Sequence, residues 1–373
     1  MIDTVILSLP NYIITDHDKF TPATRNIEFD RFGGQAWIKY AQNPTEAEKL
    51  RDGYKPNLTI TKRITNNGII KPLKIQFSAP KLLFGNNFDE LTENDFSEII
   101  EKLELKLKNM GILVFRSQLL NAKVTAIHFG KNIPLTNYTT SSFVIRELAK
   151  IDLTRKLDLT RTKFKNEGHS LQYYTKSFSV VFYDKIKDLQ LPKGRAIEED
   201  NRLQLNLFDQ LENKKPLEVL RLEVRLCTAQ KIKRLFGDLK IPEDLTFEAV
   251  FKEATAKKVL SHYWQEILDS LDLIRFSTVQ PVDLLEGIIK SNKLNLKTSL
   301  SYFGALTLIN DIGARKFRQV VNDSYSDRTW QRLKKQLKGL QSPSEGKYKP
   351  FTTISEVIDR FEPLKMNDLE NTL

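Results

Sequence analysis

Leu220-Arg221-Leu222-Glu223-Val224-Arg225-Leu226 alternates apolar and charged residues without a break, and a period of two is the mark of a half-buried β-strand. Leu220, Leu222, Val224 and Leu226 fall on one face, and Arg221, Glu223 and Arg225 on the other. A second run, Ser177-Phe178-Ser179-Val180-Val181-Phe182-Tyr183-Asp184-Lys185, alternates less strictly. Its Val180 and Phe182 point to a core, and its Ser179, Tyr183 and Lys185 to a polar surface. If both strands share a sheet, a phenol, a carboxylate and three cations share one face. Strands of this kind belong to an antiparallel sheet with one side buried and one side open.

Working outward, Thr4 to Leu9 reads as a first strand ended by Pro10, with Asp3 at its mouth. Leu73 to Ser78 reads as another, with Lys74, Gln76 and Ser78 on its polar face and Pro80 as its stop. Ala79 to Gly85 is expected to be a loop. Thr92 to Met110 has helical spacing through Ile99, Ile100, Leu103 and Leu107, with Gly111 as its stop. Val124 to Phe129 is an expected strand carrying His128 on the side away from Ile127 and Phe129. Ser141 to Ala149 is an expected helix. This order implies an α+β fold: an antiparallel sheet with helices on one face, followed by a mainly helical C-terminal region. The expected division is a catalytic domain over 1–245, with a mobile loop at about 190–216, and a helical DNA-binding or accessory region over 246–373.

The chain has 373 residues and 40% hydrophobic content, enough for one large domain or two modest ones. Its formal charge of +11 favours polyanionic partners, nucleic acid foremost. The single cysteine, Cys227, excludes a disulfide scaffold. No apolar run approaches the ~20 residues of a membrane helix, and Met1-Ile2-Asp3-Thr4 lacks a basic leader. The expected compartment is the cytoplasm, and no membrane partner is expected.

Several short patches in collinear order resemble the phage/plasmid replication protein II/X family, the rolling-circle initiators of filamentous phages and related plasmids. They are Met1-Ile2-Asp3 with Leu7-Ser8-Leu9-Pro10, the Ser78-to-Asn87 segment around Pro80-Lys81 and Gly85, Ile127-His128, Val181-Phe182-Tyr183, Val219 to Arg225, and Lys297-Thr298-Ser299 through Tyr302-Phe303-Gly304 to Trp330. Phe182-Tyr183-Asp184-Lys185 also looks like the tyrosine motif of plasmid initiators and relaxases. The resemblance implies an initiator-nuclease-like fold and a nicking-closing endonuclease that cuts one origin strand through a 5′-phosphotyrosyl intermediate. Two features depart from that pattern. His128 stands where the phage proteins tend to carry an acid, and the His-hydrophobic-His metal pair of many other initiators is missing.

On the chemistry of the residues, Tyr183 is the candidate nucleophile, with Lys185 beside it to steady a phenolate or phosphate. The alternative is a packing tyrosine at a sheet margin. Glu223 is the candidate general base or ligand of a divalent ion, magnesium or manganese, with His128 and Asp3 as further ligands. The alternative for Glu223 is a surface ion pair with Arg221 or Arg225. Lys74, Lys81, Arg221 and Arg225 are candidate phosphate contacts. Thr298 to Leu340 has the spacing of a helix-turn-helix-like origin reader, turning at Asp311 to Ala314 and capped at Ser326. It offers Arg328, Trp330 and Arg332 to origin duplex or single-stranded DNA, unless Trp330 faces inward. Gln204-Leu205-Asn206-Leu207-Phe208 resembles the pentapeptide with which bacterial proteins dock on the polymerase sliding clamp, Gln204, Leu205, Leu207 and Phe208 being the anchors. A conjugative relaxase would share the chemistry. A non-catalytic origin-binding protein or repressor would need the basic helices but not Tyr183.

Overall fold

The computed structural model describes the chain apart from residues 23–27, 30–35, 46–47, 49–50, 66–67, 136–138, 154–161, 166–168, 191–216, 271–279, 341–348 and 371–373. Its strands are β1 (Ile2–Leu9), β2 (Ile13–Ile14), β3 (Thr21–Pro22), β4 (Glu28–Phe29), β5 (Ala36–Gln42), β6 (Asn57–Thr65), β7 (Gly68–Ile70), β8 (Leu73–Ser78), β9 (Ile112–Leu113), β10 (Lys123–Pro134), β11 (Thr162–Lys165), β12 (Ser170–Tyr174), β13 (Phe178–Asp184) and β14 (Val219–Leu226). Its helices are α1 (Ala79–Phe84), α2 (Phe96–Asn109), α3 (Arg116–Leu120), α4 (Ser141–Ala149), α5 (Lys185–Gln190), α6 (Ala229–Asp238), α7 (Phe247–Val250), α8 (Glu253–Leu268), α9 (Pro281–Asn292), α10 (Leu296–Ile312), α11 (Ala314–Ser324), α12 (Asp327–Lys338), α13 (Lys349–Arg360) and α14 (Met366–Glu370).

β2 and β9 form a ribbon of their own. The other described strands form one sheet in the order β11-β12-β13-β14-β10-β1-β8-β6-β5-β3, with β4 beside β5 and β7 beside β6. Neighbours run antiparallel. The alternation of β8 shows how the layers arise: Leu73, Ile75 and Phe77 are buried, whereas Lys74 and Gln76 are exposed. Phe182 of β13 meets Trp264 of α8 at 6.2 Å between ring centres, and Trp264 meets Phe351 of α13 at 5.6 Å. Phe77 of β8 meets Phe247 of α7 at 6.0 Å. Burying each such aromatic contributes about 1.5–3 kcal/mol, so the helices are held to the apolar face of the sheet. The fold is α+β with a helical C-terminal region. The change from sheet to helices falls after Leu226, not at 245/246, and the core is not divided there, because Phe247, Trp264 and Phe351 join the same buried cluster as Val5, Phe129 and Leu222.

Four local expectations are overturned. Ala79 to Gly85 is not a loop: Ala79–Phe84 is helical, with a proline in its first turn and Gly85 at φ 76° closing it. Proline in the first turn forfeits no helical hydrogen bond, and the left-handed C-cap favours glycine. Asp3 lies inside β1 and not at its mouth. β10 runs on to Pro134, past the expected end at Phe129, because Lys131 and Asn132 are buried where a sequence pattern calls for solvent. Lys185 begins α5 instead of continuing the strand, and it is buried. The strands β3 to β7 were not among the expected elements, although Leu58-Thr59-Ile60-Thr61 in β6 alternates as a strand does. The expected mobile loop, from residue 191 on, and with it Gln204, Leu205, Leu207 and Phe208, lies outside the described residues. Among the described residues no helix is long and apolar enough to cross a membrane.

Candidate active site

β14 lies between β10 and β13, and its register gathers the polar residues. Arg221 stands opposite Asn132 and Tyr183, Glu223 opposite Gly130 and Val181, and Arg225 opposite His128 and Ser179. Opposed residues of an antiparallel pair share a face. Tyr183, Glu223, Arg221, Arg225 and His128 therefore share one face, opposite the one on which Phe182 packs against Trp264 of α8. β1 adds Asp3 through a bulge: Ile2 pairs with Phe129 and Val5 with Ile127, so Asp3 and Thr4 together face His128. The Ser78 hydroxyl, from β8, donates to Asp3 Oδ1 at 3.3 Å.

Glu223 is the hub and is 2% exposed. The Tyr183 hydroxyl donates to its Oε2 at 3.3 Å. Arg225 donates from Nε to Oε1 at 3.0 Å and from Nη2 to Oε2 at 3.2 Å, a two-pronged pair. His128 Nδ1 is 3.2 Å from Oε1. Burial alone would raise the carboxyl pKa. The hydrogen bond from His128, the charge and hydrogen bonds of Arg225, and the charge of Arg221 outweigh it and hold Glu223 well below the usual range. The Tyr183 phenol moves the opposite way: burial first, and then the Glu223 charge, hold its pKa well above the ordinary value against the pull of Arg221. At neutral pH the resting pair is a phenol donating to a carboxylate.

Arg221, expected as a phosphate contact, lies beneath the surface, being 3% exposed. Its guanidinium covers Gly130, where an added Cβ would come within 2.3 Å of Nη2 and 2.7 Å of Cζ. Nη1 donates to Asn132 Oδ1 at 2.9 Å and lies 3.9 Å from Glu90 Oε1, while Nη2 lies 4.0 Å from Asp3 Oδ2. Its Nε has no hydrogen-bond partner among the described residues. Glu90 in turn accepts from the backbone of Asn132 at 2.5 Å and from the ammonium of buried Lys131. Glu90, Asn132 and Gly130 are thus the residues that hold Arg221, and sequence reasoning missed all three. The available signal was Gly130 inside a strand pattern, which marks a close approach to the backbone.

The remaining candidates are dispersed. The Lys185 Nζ lies 5.8 Å from the centre of the Tyr183 ring. Lys74 is exposed on the same sheet face, three strands from β14, and Lys81 is half-buried on α1. Arg328 and Arg332 are exposed on α12, where they line a cleft with Lys334, Lys338, Asp152 and Ser270. Trp330 is fully buried, 5.9 Å from Phe317. It therefore cannot stack on a base: α12 is amphipathic and turns its tryptophan inward. Ser326 takes the N-cap position of α12, but its hydroxyl meets that of Thr329, not a backbone N–H.

The divalent ion implied by the resemblance does not fit these carboxylates as they stand. Both oxygens of Glu223 are occupied by N–H and O–H donors, and the fixed Arg221 cation lies 4.0 Å from Asp3. Among the described residues no group of three or more His, Cys, Asp or Glu side chains converges. The chain matches no family model, no curated protein and no solved structure.

Proposed function

We propose that this protein is a DNA nicking-closing enzyme, a rolling-circle replication initiator of phage or plasmid type, with Tyr183 as its nucleophile. The observation that carries the reading is the 3.3 Å contact from the Tyr183 hydroxyl to Glu223 on the neighbouring strand, within a face that also holds Arg221 and Arg225. The phenol oxygen attacks the phosphorus, and its proton passes to Glu223. The bond from phosphorus to the 3′ oxygen breaks, and that oxygen leaves as a hydroxyl, taking the proton from Glu223 through a water and restoring the carboxylate. The 5′ phosphate stays on Tyr183, and the reverse reaction rejoins the strand. Arg221 is a fixed cation beneath the phosphate. Arg225, with 34% of its side chain exposed, is drawn from Glu223 to the arriving phosphate. Glu223 then loses two donors, and its pKa rises towards that of a working base.

The test uses 3′-labelled single-stranded oligonucleotides of randomised sequence, incubated with manganese and, separately, with a chelator. A denaturation-resistant adduct is expected from the native protein and none from Tyr183→Phe, which should still bind DNA in a salt-sensitive way. DNA binding with no adduct under either condition would favour the non-catalytic origin-binding reading. An adduct that survives Tyr183→Phe would remove this tyrosine from the reaction.

A further inference from the structure

α10 is apolar on two sides. Ser299, Ala305, Leu306 and Ile309 are buried against the protein. The opposite side exposes Leu296, Leu300 and Leu308, at 65%, 47% and 49%. Leu300, Gly304 and Leu308 follow one another at steps of four and form a single ridge, of the kind that packs into the groove of another helix. Exposed Lys297 and Asp311 flank the ridge at its two ends. Neither side chain has an ion-pair partner among the described residues.

The sequence of the ridge is symmetric. Leu300 and Leu308 stand four residues on either side of Gly304, and Lys297 and Asp311 stand seven on either side. Glycine is unfavourable inside a helix, and the packing of the chain does not call for one here: a Cβ at Gly304 would meet nothing within 4 Å. A glycine at the midpoint of an exposed apolar ridge lets a second helix axis come close.

We infer that α10 is a homodimerisation helix, crossing its own copy antiparallel about a two-fold axis at Gly304. That operation seats Leu300 on the partner's Leu308 and sets Lys297 against the partner's Asp311, each pair occurring twice, as a closed two-fold contact requires. The opposite charges at the two ends of the ridge complement each other only in this orientation, and a second copy supplies them without any other protein. A single helix crossing is small for a specific interface, so the association should be reversible and micromolar. This inference does not rest on the nickase reading.

Sedimentation of the full chain over a range from about 1 to 200 μM, a span set by the expected weak affinity, should show a monomer–dimer equilibrium. Leu300→Asp should be monomeric throughout. Lys297→Asp faces two like-charge contacts in its own dimer, as does Asp311→Lys, so each should dimerise at least roughly tenfold more weakly. Mixed in equal amounts, those two variants should recover the native affinity, because the heterodimer restores both opposite-charge pairs. Unchanged circular dichroism would show that each variant is folded. A native chain that stays monomeric, a Leu300→Asp variant that still dimerises, or a mixture that fails to recover would each overturn the proposal.

Discussion

Gly130→Ala adds one methyl where the Arg221 guanidinium rests. The new carbon would sit 2.3 Å from Nη2, 2.7 Å from Cζ and 3.0 Å from Nε, whereas non-bonded atoms of this kind prefer roughly 3.5–4.0 Å. Arg221 must lift off the strand. Keeping it in place against the clash would cost about 1–3 kcal/mol, as overpacking a close-packed interior does. Lifting it instead breaks the 2.9 Å bond to Asn132 and draws the cation away from Asp3 and Glu90, where a hydrogen bond to a charged group is worth about 1.5–3 kcal/mol. The chain takes the cheaper route or a mixture, so the expected loss is about 2–3 kcal/mol, a large part of the 5–15 kcal/mol typical of a whole domain. Urea unfolding should show a lower midpoint with an unchanged slope. Arg221→Lys supplies the control, because its slender ammonium stem keeps the charge but not the planar group over Gly130. In that background Gly130→Ala should cost under about 1 kcal/mol, leaving a coupling of about 1–2 kcal/mol in the double-mutant cycle. An equal cost of the methyl in both backgrounds would refute the claim that Gly130 exists to seat this arginine.

Two further outcomes follow from the electrostatics and the packing. Glu223 has a depressed pKa in the folded chain, so the stability it contributes is fully present above its unfolded value of about 4.3 and is lost as pH falls through the folded value. Glu223→Gln should flatten the acid limb of a stability–pH curve below about pH 4.5, leaving the part due to Glu90, which is depressed as well; an unaltered limb would show that Glu223 is not held as an anion. Trp330→Ala, which empties a fully buried site, should cost about 3–5 kcal/mol in urea unfolding. Arg328→Ala and Arg332→Ala should instead leave stability within about 0.5 kcal/mol and lower the salt slope of DNA binding by about 1 each. A folded, stable Trp330→Ala variant with weakened DNA binding would contradict the inward packing.

The strands that carry the site were legible because each has one apolar and one mainly polar face, and alternation follows from that. Tyr183, Glu223 and His128 could be placed on a common surface from parity alone, once the strands were assigned to one sheet. Parity does not tell whether a charged residue on that surface meets water. Arg221 and Arg225 occupy equivalent positions in the sequence pattern, yet only Arg225 reaches solvent. The difference lies in Gly130 and Asn132 on β10 and in Glu90 in the loop after α1, three residues remote from β14 in the chain. β10 was expected to end at Phe129 because the apolar alternation stops before Lys131 and Asn132, and only the tertiary fold gives these two the buried partners Glu90 and Phe88. Trp330 was ambiguous because a tryptophan amid basic residues on a helix serves a DNA surface and an amphipathic core equally well.

The opposite pKa shifts of Tyr183 and Glu223 bear on how the proposed reaction would be controlled. A phenol held protonated beside a carboxylate held ionised is an unreactive pair, since the proton has every reason to stay where it is. What keeps Glu223 a weak base is chiefly a set of donors, and these donors differ in exposure: His128 and Arg225 are partly exposed at the sheet surface, whereas Arg221 is buried beneath it. On the proposed mechanism a phosphate diester competes for the exposed Arg225 and leaves the buried Arg221 where it is. On the proposed mechanism the substrate itself therefore releases the base, while the fixed cation remains to favour the phenolate. On that mechanism the reactive state is assembled only when DNA is in place, and Tyr183 stays protonated until then.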